Sequence, residues 1–198
     1  MIIGITGYAR TGKDTLANGL KMILKNENIG CKKLSFAWAL KKDLDYFLIS
    51  KTGISAFTED KNQKELIRPL MVTYGSDIMR KIDPDYWIKC VRREIDEKHR
   101  NKIIIIPDVR FENESKWIKS EGGKIILLRR EINGIVIPPA NDYEKENSGK
   151  AEQYADYDYT WSTEELKNLN TVSETLLTEL FGDFKVDLNR FKIEDTGL

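Results

Sequence analysis

A single His, two Cys and no surplus of charge of either sign are the scarcities that shape this chain of 198 residues. One imidazole, His99, cannot supply a multi-His metal cluster, and no nucleophile motif accompanies it for Ser–His chemistry. Cys31 and Cys90 lie far apart without a C-x-x-C pairing, which argues against a zinc site or a disulfide framework and fits reduced thiols. The 32 Lys and Arg residues balance 32 Asp and Glu residues. Duplex DNA and anionic membranes, both held by a large positive surplus, are therefore poor candidates for the main ligand, and any basic site must be local. Long apolar runs are missing too: the longest aliphatic run is Ile103–Ile106, against about 20 residues for a membrane span. Met1-Ile2-Ile3 carries neither the basic region nor the small-residue cleavage site of a signal peptide, so a cytoplasmic address is expected, in the host cell if the chain is viral.

What the chain does have is a strand and helix rhythm. Met1–Thr6 reads as a short, buried strand of a parallel sheet. Leu16, Leu20, Ile23 and Leu24 then recur at helical spacing, and the pattern stops at Asn26–Gly30. A second strand is expected over Lys33–Phe36. From Trp38 to Arg93 the pattern is mostly helical, with amphipathic pieces near Ala39–Leu48, Lys64–Tyr74 and Asp85–Ile95 and a turn at Ser50–Gly53. This block is too long for a simple crossover and reads as a helical insert over about residues 38–95. The rhythm resumes with a strand at Lys102–Ile106, a helix at Glu112–Ser120 and a strand at Lys124–Leu128. Arg129–Glu152 reads as a mobile loop and candidate lid, Asp156–Trp161 as a last strand, and Leu166–Leu180 as a closing helix. The tail Lys185–Leu198 is expected to be loosely ordered. The alternation predicts one α/β domain over residues 1–198, with a parallel sheet covered by helices on both faces.

Gly7-Tyr8-Ala9-Arg10-Thr11-Gly12-Lys13 is G-x-x-x-x-G-K, set between a buried strand and an amphipathic helix, the context in which this spacing makes a phosphate loop. Glycines let the backbone curl so that N–H groups point inward, the helix N-terminus adds partial positive charge, and Lys13 reaches the β- and γ-phosphates. Gly7, Ala9, Arg10, Thr11, Gly12, Lys13, Asp14 and Thr15 are thus the expected ATP contacts. The general motif places Ser or Thr after the lysine to bind Mg²⁺, whereas Asp14 stands here with Thr15 next. A carboxylate is a good hard-cation ligand, so Asp14 is expected to hold Mg²⁺, directly or through water, with Thr15 meeting an α-phosphate.

A second carboxylate, Asp108, follows the run Ile103–Ile106 in Pro107-Asp108-Val109-Arg110, at the carboxyl edge of a central strand. It is expected to orient Mg²⁺ water or the attacking oxygen; the alternative is a cap for the helix opening near Glu112. Arg110 can pair with Asp108 or clamp a phosphate. Catalysis is expected from Lys13, Arg10, Asp108 and Arg110, with Arg129 and Arg130 adding charge at the triphosphate. The insert contributes Arg68 and Arg80 as phosphate-binding guanidiniums, and Tyr86 and Trp87 as flat surfaces for a nucleobase, although for either aromatic alone packing in the core is the commoner role.

Four segments together resemble the deoxynucleoside monophosphate kinases of bacteriophages: Gly7–Thr15 with its G-K-D-T ending; Ser35-Phe36-Ala37 with Leu40-Lys41; Tyr74-Gly75-Ser76-Asp77 through Tyr86-Trp87; and Pro107–Glu114. The resemblance implies a three-layer P-loop NTPase fold with a helical acceptor insert and a short lid. It also implies the reaction ATP + dNMP giving ADP + dNDP, with Mg²⁺. Ala37, Lys41, Arg68, Gly75, Ser76, Arg80, Tyr86, Trp87, Lys89, Asp108 and Arg110 would then face the monophosphate. Two departures stand out: Ser148–Glu152 holds no His where the family's lid often has one, and Trp161 stands where an Asn follows the family's last strand. Two rivals stay open, a P-loop kinase of another small acceptor such as dephospho-coenzyme A or a sugar acid, and a nucleotide-dependent switch; the GTPase N-K-x-D motif is absent. Homodimerisation is left open.

Overall fold

The computed structural model describes residues 1–192, and among these no helix is long and apolar enough to cross a membrane. Its strands are β1 (Ile2–Thr6), β2 (Cys31–Lys33), β3 (Ile103–Ile106), β4 (Lys124–Ile132), β5 (Ile135–Val136) and β6 (Tyr157–Trp161). Its helices are α1 (Lys13–Asn26), α2 (Phe36–Thr52), α3 (Lys61–Val72), α4 (Arg80–Ile82), α5 (Tyr86–Lys98), α6 (Glu112–Ser120), α7 (Asp142–Glu152), α8 (Leu169–Phe181) and α9 (Phe184–Asp187). The chain forms two compact units, Met1–Leu34 with the residues from Ile95 onward, and Ser35–Glu94.

The first unit is a three-layer α/β arrangement around parallel strands in the order β2-β3-β1-β4-β6, with β5 folded back antiparallel on the end of β4. Ile103–Ile106 and all of β1 are buried, as expected of strands covered on both faces. Alternation divides them. Ile3 and Ile5 join Leu16, Leu20, Leu24 and Leu176 in the core shared with α1 and α8. On the opposite face, a Cβ added at Gly4 would come within 2.8 Å of Ile118 of α6. Each fully buried aliphatic side chain contributes about 1.5–3 kcal/mol, so this small sheet rests mainly on its isoleucines.

The second unit is helical, as the apolar spacing predicts. Ser35 Oγ accepts from Trp38 N at 2.9 Å to start α2, and Gly53, at φ 72°, ends it. Leu44, Leu48, Ala56 and Ile67 form its own small core. Pro69 lies inside α3 and removes one helical hydrogen bond; four residues on, Thr73–Met79 winds as a π-helix, a geometry often found at functional positions.

Several expectations are corrected. The second strand is Cys31–Lys33, because Ser35 is already a helix cap. The turn expected at Ser50–Gly53 reduces to Gly53, since α2 runs through Thr52. Arg129–Glu152 is not a loop: β4 carries Arg129 and Arg130, Asn133-Gly134 turns the chain with φ 53° and 78°, β5 returns, and α7 starts on an Asn141 cap. Asn-Gly with both residues at positive φ is the signature of a tight hairpin turn. The tail is packed as far as it is described: Leu188 and Phe191 are buried, and Lys192 bridges Ile29. The remainder of that expectation, residues 193–198, lies outside the described residues.

Candidate active site at the phosphate loop

The loop between β1 and α1 needs its glycines. Gly7 sits at φ 129°, where a Cβ would fall 2.2 Å from the Leu128 carbonyl oxygen. Gly12 sits at φ 93°, where one would fall 2.5 Å from Trp161 Cζ2. Arg10 takes φ 67° and is exposed, so the loop curls through three left-handed positions. Thr11 is buried and its hydroxyl donates to Tyr8 O at 2.9 Å, a local bond that closes the turn.

Lys13 opens α1, and its Nζ donates to Gly7 O at 2.7 Å and Tyr8 O at 2.6 Å, spanning the loop it is expected to serve. Burial, and then the Arg110 guanidinium, push its pKa down to about 8. Glu144, Asp14 and Asp108 act in the opposite sense. The fold thus brings Arg110, Asp108 and Asp14 within electrostatic reach of Lys13. Asp14 is exposed and its Oδ1 accepts from Lys33 Nζ at 3.0 Å; Thr15 beside it is exposed as well. Asp108 is half-buried immediately beyond β3, where Val109 N donates to Ile5 O of β1 at 3.3 Å. Phe111, not Asp108, stands at the cap position of α6, so the capping alternative for Asp108 falls away.

No group of three or more His, Cys, Asp or Glu among the described residues forms a cage for a metal. Nucleotide-bound Mg²⁺ needs none, since phosphates and water fill most of its shell and one or two carboxylates complete it. Asp14 and Asp108, both acting on the Lys13 ammonium, fit that requirement.

The two strand arginines differ. Arg129 is engaged by Asp158 and, at 3.5 Å, by Glu152, so it ties β4 to β6 and to the end of α7. Arg130, half-buried next to it, has a buried Nε without a hydrogen-bond partner among the described residues. Of the pair, Arg130 is the better anion donor.

Within the second unit, Lys41 lies over the Phe57 ring at 5.6 Å, Arg68 and Ala37 are exposed, and Ser76 and Arg80 are half-buried. Lys89 is held by Asp83 at 2.6 Å. Trp87 corrects an expectation: it is 2% exposed and its Nε1 donates to Gly75 O at 3.1 Å. A ring so covered offers no face to a base; it pins the π-helix instead. Gly75 leaves room for Leu40, whose Cδ2 would lie 3.0 Å from an added Cβ. Tyr86 is half-buried, stands edge-on to Trp87, and donates its hydroxyl to Asp43 Oδ2 at 3.0 Å.

Sequence reasoning missed four residues that shape these places. Trp161 is fully buried on β6, and its Nε1 donates to Thr11 O at 2.6 Å, buttressing the loop from below. Glu114, 1% exposed, accepts from Arg110 N at 2.8 Å and Phe111 N at 3.0 Å, which sets the chain just beyond Asp108. Asp43 bonds Tyr86 and also Tyr74, raising both phenols, although burial is the larger cause. Glu144 accepts from the loop's Ala9 N at 2.7 Å.

Comparison with known proteins finds kinases. The family model described as phosphomevalonate kinase matches residues 5–124. A protein of Acanthamoeba polyphaga mimivirus, provisionally named as a deoxynucleotide monophosphate kinase, is 28% identical over 148 residues, 66% of this chain and 74% of that protein. Among solved structures, the shikimate kinase of Aquifex aeolicus shows 16% identity and a TM-score of 0.47, covering 92% of this chain and 99% of that one. A Thermus thermophilus protein, TT1252, shows 15% identity and a TM-score of 0.48, covering 92% and 98%.

Proposed function

The chain belongs to the phosphomevalonate kinase family, and from that premise and its phosphate loop we propose that this P-loop kinase transfers the γ-phosphoryl group of ATP to a deoxynucleoside 5'-monophosphate. The observation that supports the kinase chemistry is Lys13 at the start of α1, its Nζ folded over the loop onto Gly7 O and Tyr8 O, with Arg110 and Asp108 acting on its charge. The acceptor class draws support from the mimivirus relative and from the four segments that resemble phage enzymes.

Phosphoryl transfer demands alignment and neutralisation of charge more than covalent help. Gly7–Thr15 would wrap the triphosphate, with Lys13 and Arg130 on its outer oxygens. Asp14 and Asp108 would hold Mg²⁺, which would supply charge neutralisation for the transferred phosphoryl group. Asp108 and Arg110 would also meet an acceptor phosphate, and the resemblance to the phage enzymes assigns Ala37, Lys41, Arg68, Ser76, Arg80, Tyr86 and Lys89 of the helical unit to monophosphate recognition. Holding both substrates in line contributes up to about 7–11 kcal/mol relative to free collision.

A second reading is favoured by the family match: the acceptor is phosphomevalonate. Both acceptors are phosphate monoesters, so the same cations serve either. ADP release coupled to NADH oxidation, with deoxyribo- and ribonucleoside monophosphates, phosphomevalonate and dephospho-coenzyme A offered in turn, separates them. Turnover dependent on a dNMP and abolished in Lys13→Ala is expected. Turnover with phosphomevalonate alone gives the second reading, and ADP release without any acceptor makes the chain a nucleotide switch.

A further inference from the structure

The phosphate loop is partly filled by the protein's own carboxylate. Glu144, in the first turn of α7, accepts from Ala9 N at 2.7 Å through Oε1 and from Ala140 N at 2.7 Å through Oε2. Its charge also acts on the Lys13 ammonium, whose Nζ meanwhile rests on loop carbonyls. A carboxylate on a backbone N–H of a phosphate loop can stand where a phosphate oxygen would, with negative charge and the same kind of hydrogen bond. Both cannot take the Ala9 N–H at once.

The two ends of α7 are held differently. Its C-terminal end is tied down by Tyr154 to Glu112 at 3.0 Å, by Ser115 Oγ to Ala151 O at 3.4 Å and by Arg129 to Glu152 at 3.5 Å. Its N-terminal end has the Glu144 bond to the loop and an edge contact of Tyr143 with Phe111, ring centres 6.4 Å apart. Displacing Glu144 removes the polar tether of that end and leaves the anchor at the other in place.

We propose that Glu144 is an internal stand-in for phosphate, a latch that nucleotide must displace, so that filling the loop releases the first turn of α7 and the segment before it. The idea rests on the nucleotide-binding reading of the loop and is independent of which acceptor is used. The cost of opening the latch lowers the apparent affinity of the free protein for nucleotide, and the latch couples occupancy of the loop to the position of α7.

Calorimetric titration of the full chain with MgADP tests this, using Glu144→Gln, Glu144→Asp and, as control, Glu146→Gln, which removes a charge of the same helix that pairs with Lys150. Glu144→Gln keeps an amide oxygen that accepts from Ala9 N but loses the charge, and this weakened latch is expected to tighten MgADP binding about tenfold, the scale of the difference between a charge-assisted and a neutral hydrogen bond. Glu144→Asp, too short to reach Ala9 N, opens the latch and is expected to tighten binding at least as much, whereas Glu146→Gln is expected to leave it unchanged. Hydrogen exchange over residues 138–148 is expected to speed up on MgADP addition in the wild-type chain and to be fast already in Glu144→Gln. Unchanged or weaker binding in Glu144→Gln, or exchange that slows on MgADP addition to the wild type, overturns the latch while leaving the nucleotide site standing. MgADP binding by none of the proteins overturns both.

Discussion

Replacing Trp161 by Phe tests whether a residue on the last parallel strand holds the phosphate loop in shape. The indole N–H reaches Thr11 O at 2.6 Å, and Thr11 is 1% exposed, so no water stands ready to take over the carbonyl. A buried carbonyl left without a donor costs about 1–3 kcal/mol. At about 2–4 °C per kcal/mol for a chain of this size, Trp161→Phe is expected to lower the melting temperature by roughly 2–12 °C. Trp161→Ala adds a cavity and should cost about 3–5 kcal/mol. The second half of the test uses Gly12, where an added Cβ would lie 2.5 Å from the indole at φ 93°. Gly12→Ala meets both the clash and the backbone strain in the wild type, but only the strain once Trp161 is Ala. Differential scanning fluorimetry and urea titration of the four proteins in a double-mutant cycle should therefore show a coupling of about 0.5–3 kcal/mol, the double variant being less damaged than the sum. The KM for ATP should rise more than that for the acceptor. A melting temperature unchanged in Trp161→Phe, together with additive losses in the cycle, would refute the buttress.

Three further outcomes follow from the geometry. Because Lys13 titrates near 8 in the free protein, it is protonated below that pH and nucleotide affinity should be flat; above it, binding must take up a proton, so affinity should fall by up to about tenfold per pH unit, measured by MgADP titration from pH 6.5 to 9.5. A flat profile across that range would remove Lys13 from the phosphate site. Glu114→Ala leaves two N–H groups without their acceptor and should cost about 2 kcal/mol or more in urea unfolding while lowering kcat through Asp108 and Arg110, with Glu114→Gln restoring part of both. Trp87→Phe should destabilise the protein by about 1–3 kcal/mol through the unpaired Gly75 carbonyl; a raised acceptor KM at unchanged stability would return Trp87 to base stacking.

Much of the fold was legible residue by residue. Ile2–Thr6, Ile103–Ile106 and Lys124–Leu128 declare themselves as buried parallel strands by unbroken apolar runs, and the α1 stripe by its helical spacing. Gly7, Gly12 and Lys13 could be placed because their spacing, between a strand and a helix, is itself the local geometry of a phosphate loop. The Asn133-Gly134 hairpin was equally local, and its signal stood in the sequence beside a run read as polar loop. Trp87 misled because an aromatic beside a tyrosine looks the same whether it faces a base or a core. Only packing chose the core.

The sequence alone determined the features that arise within a few residues: the phosphate loop, the strand before it, the helix after it, and the alternation that makes a parallel sheet. Tertiary structure alone decided which distant side chains complete the site. Trp161 meets Thr11 across 150 positions, and Glu144 meets Ala9 across 135. Such pairings have no spacing to read, because β6 and α7 reach the loop only after the sheet has assembled. Short-range order follows the period of the chain, whereas long-range contact follows from how whole elements bury their apolar faces.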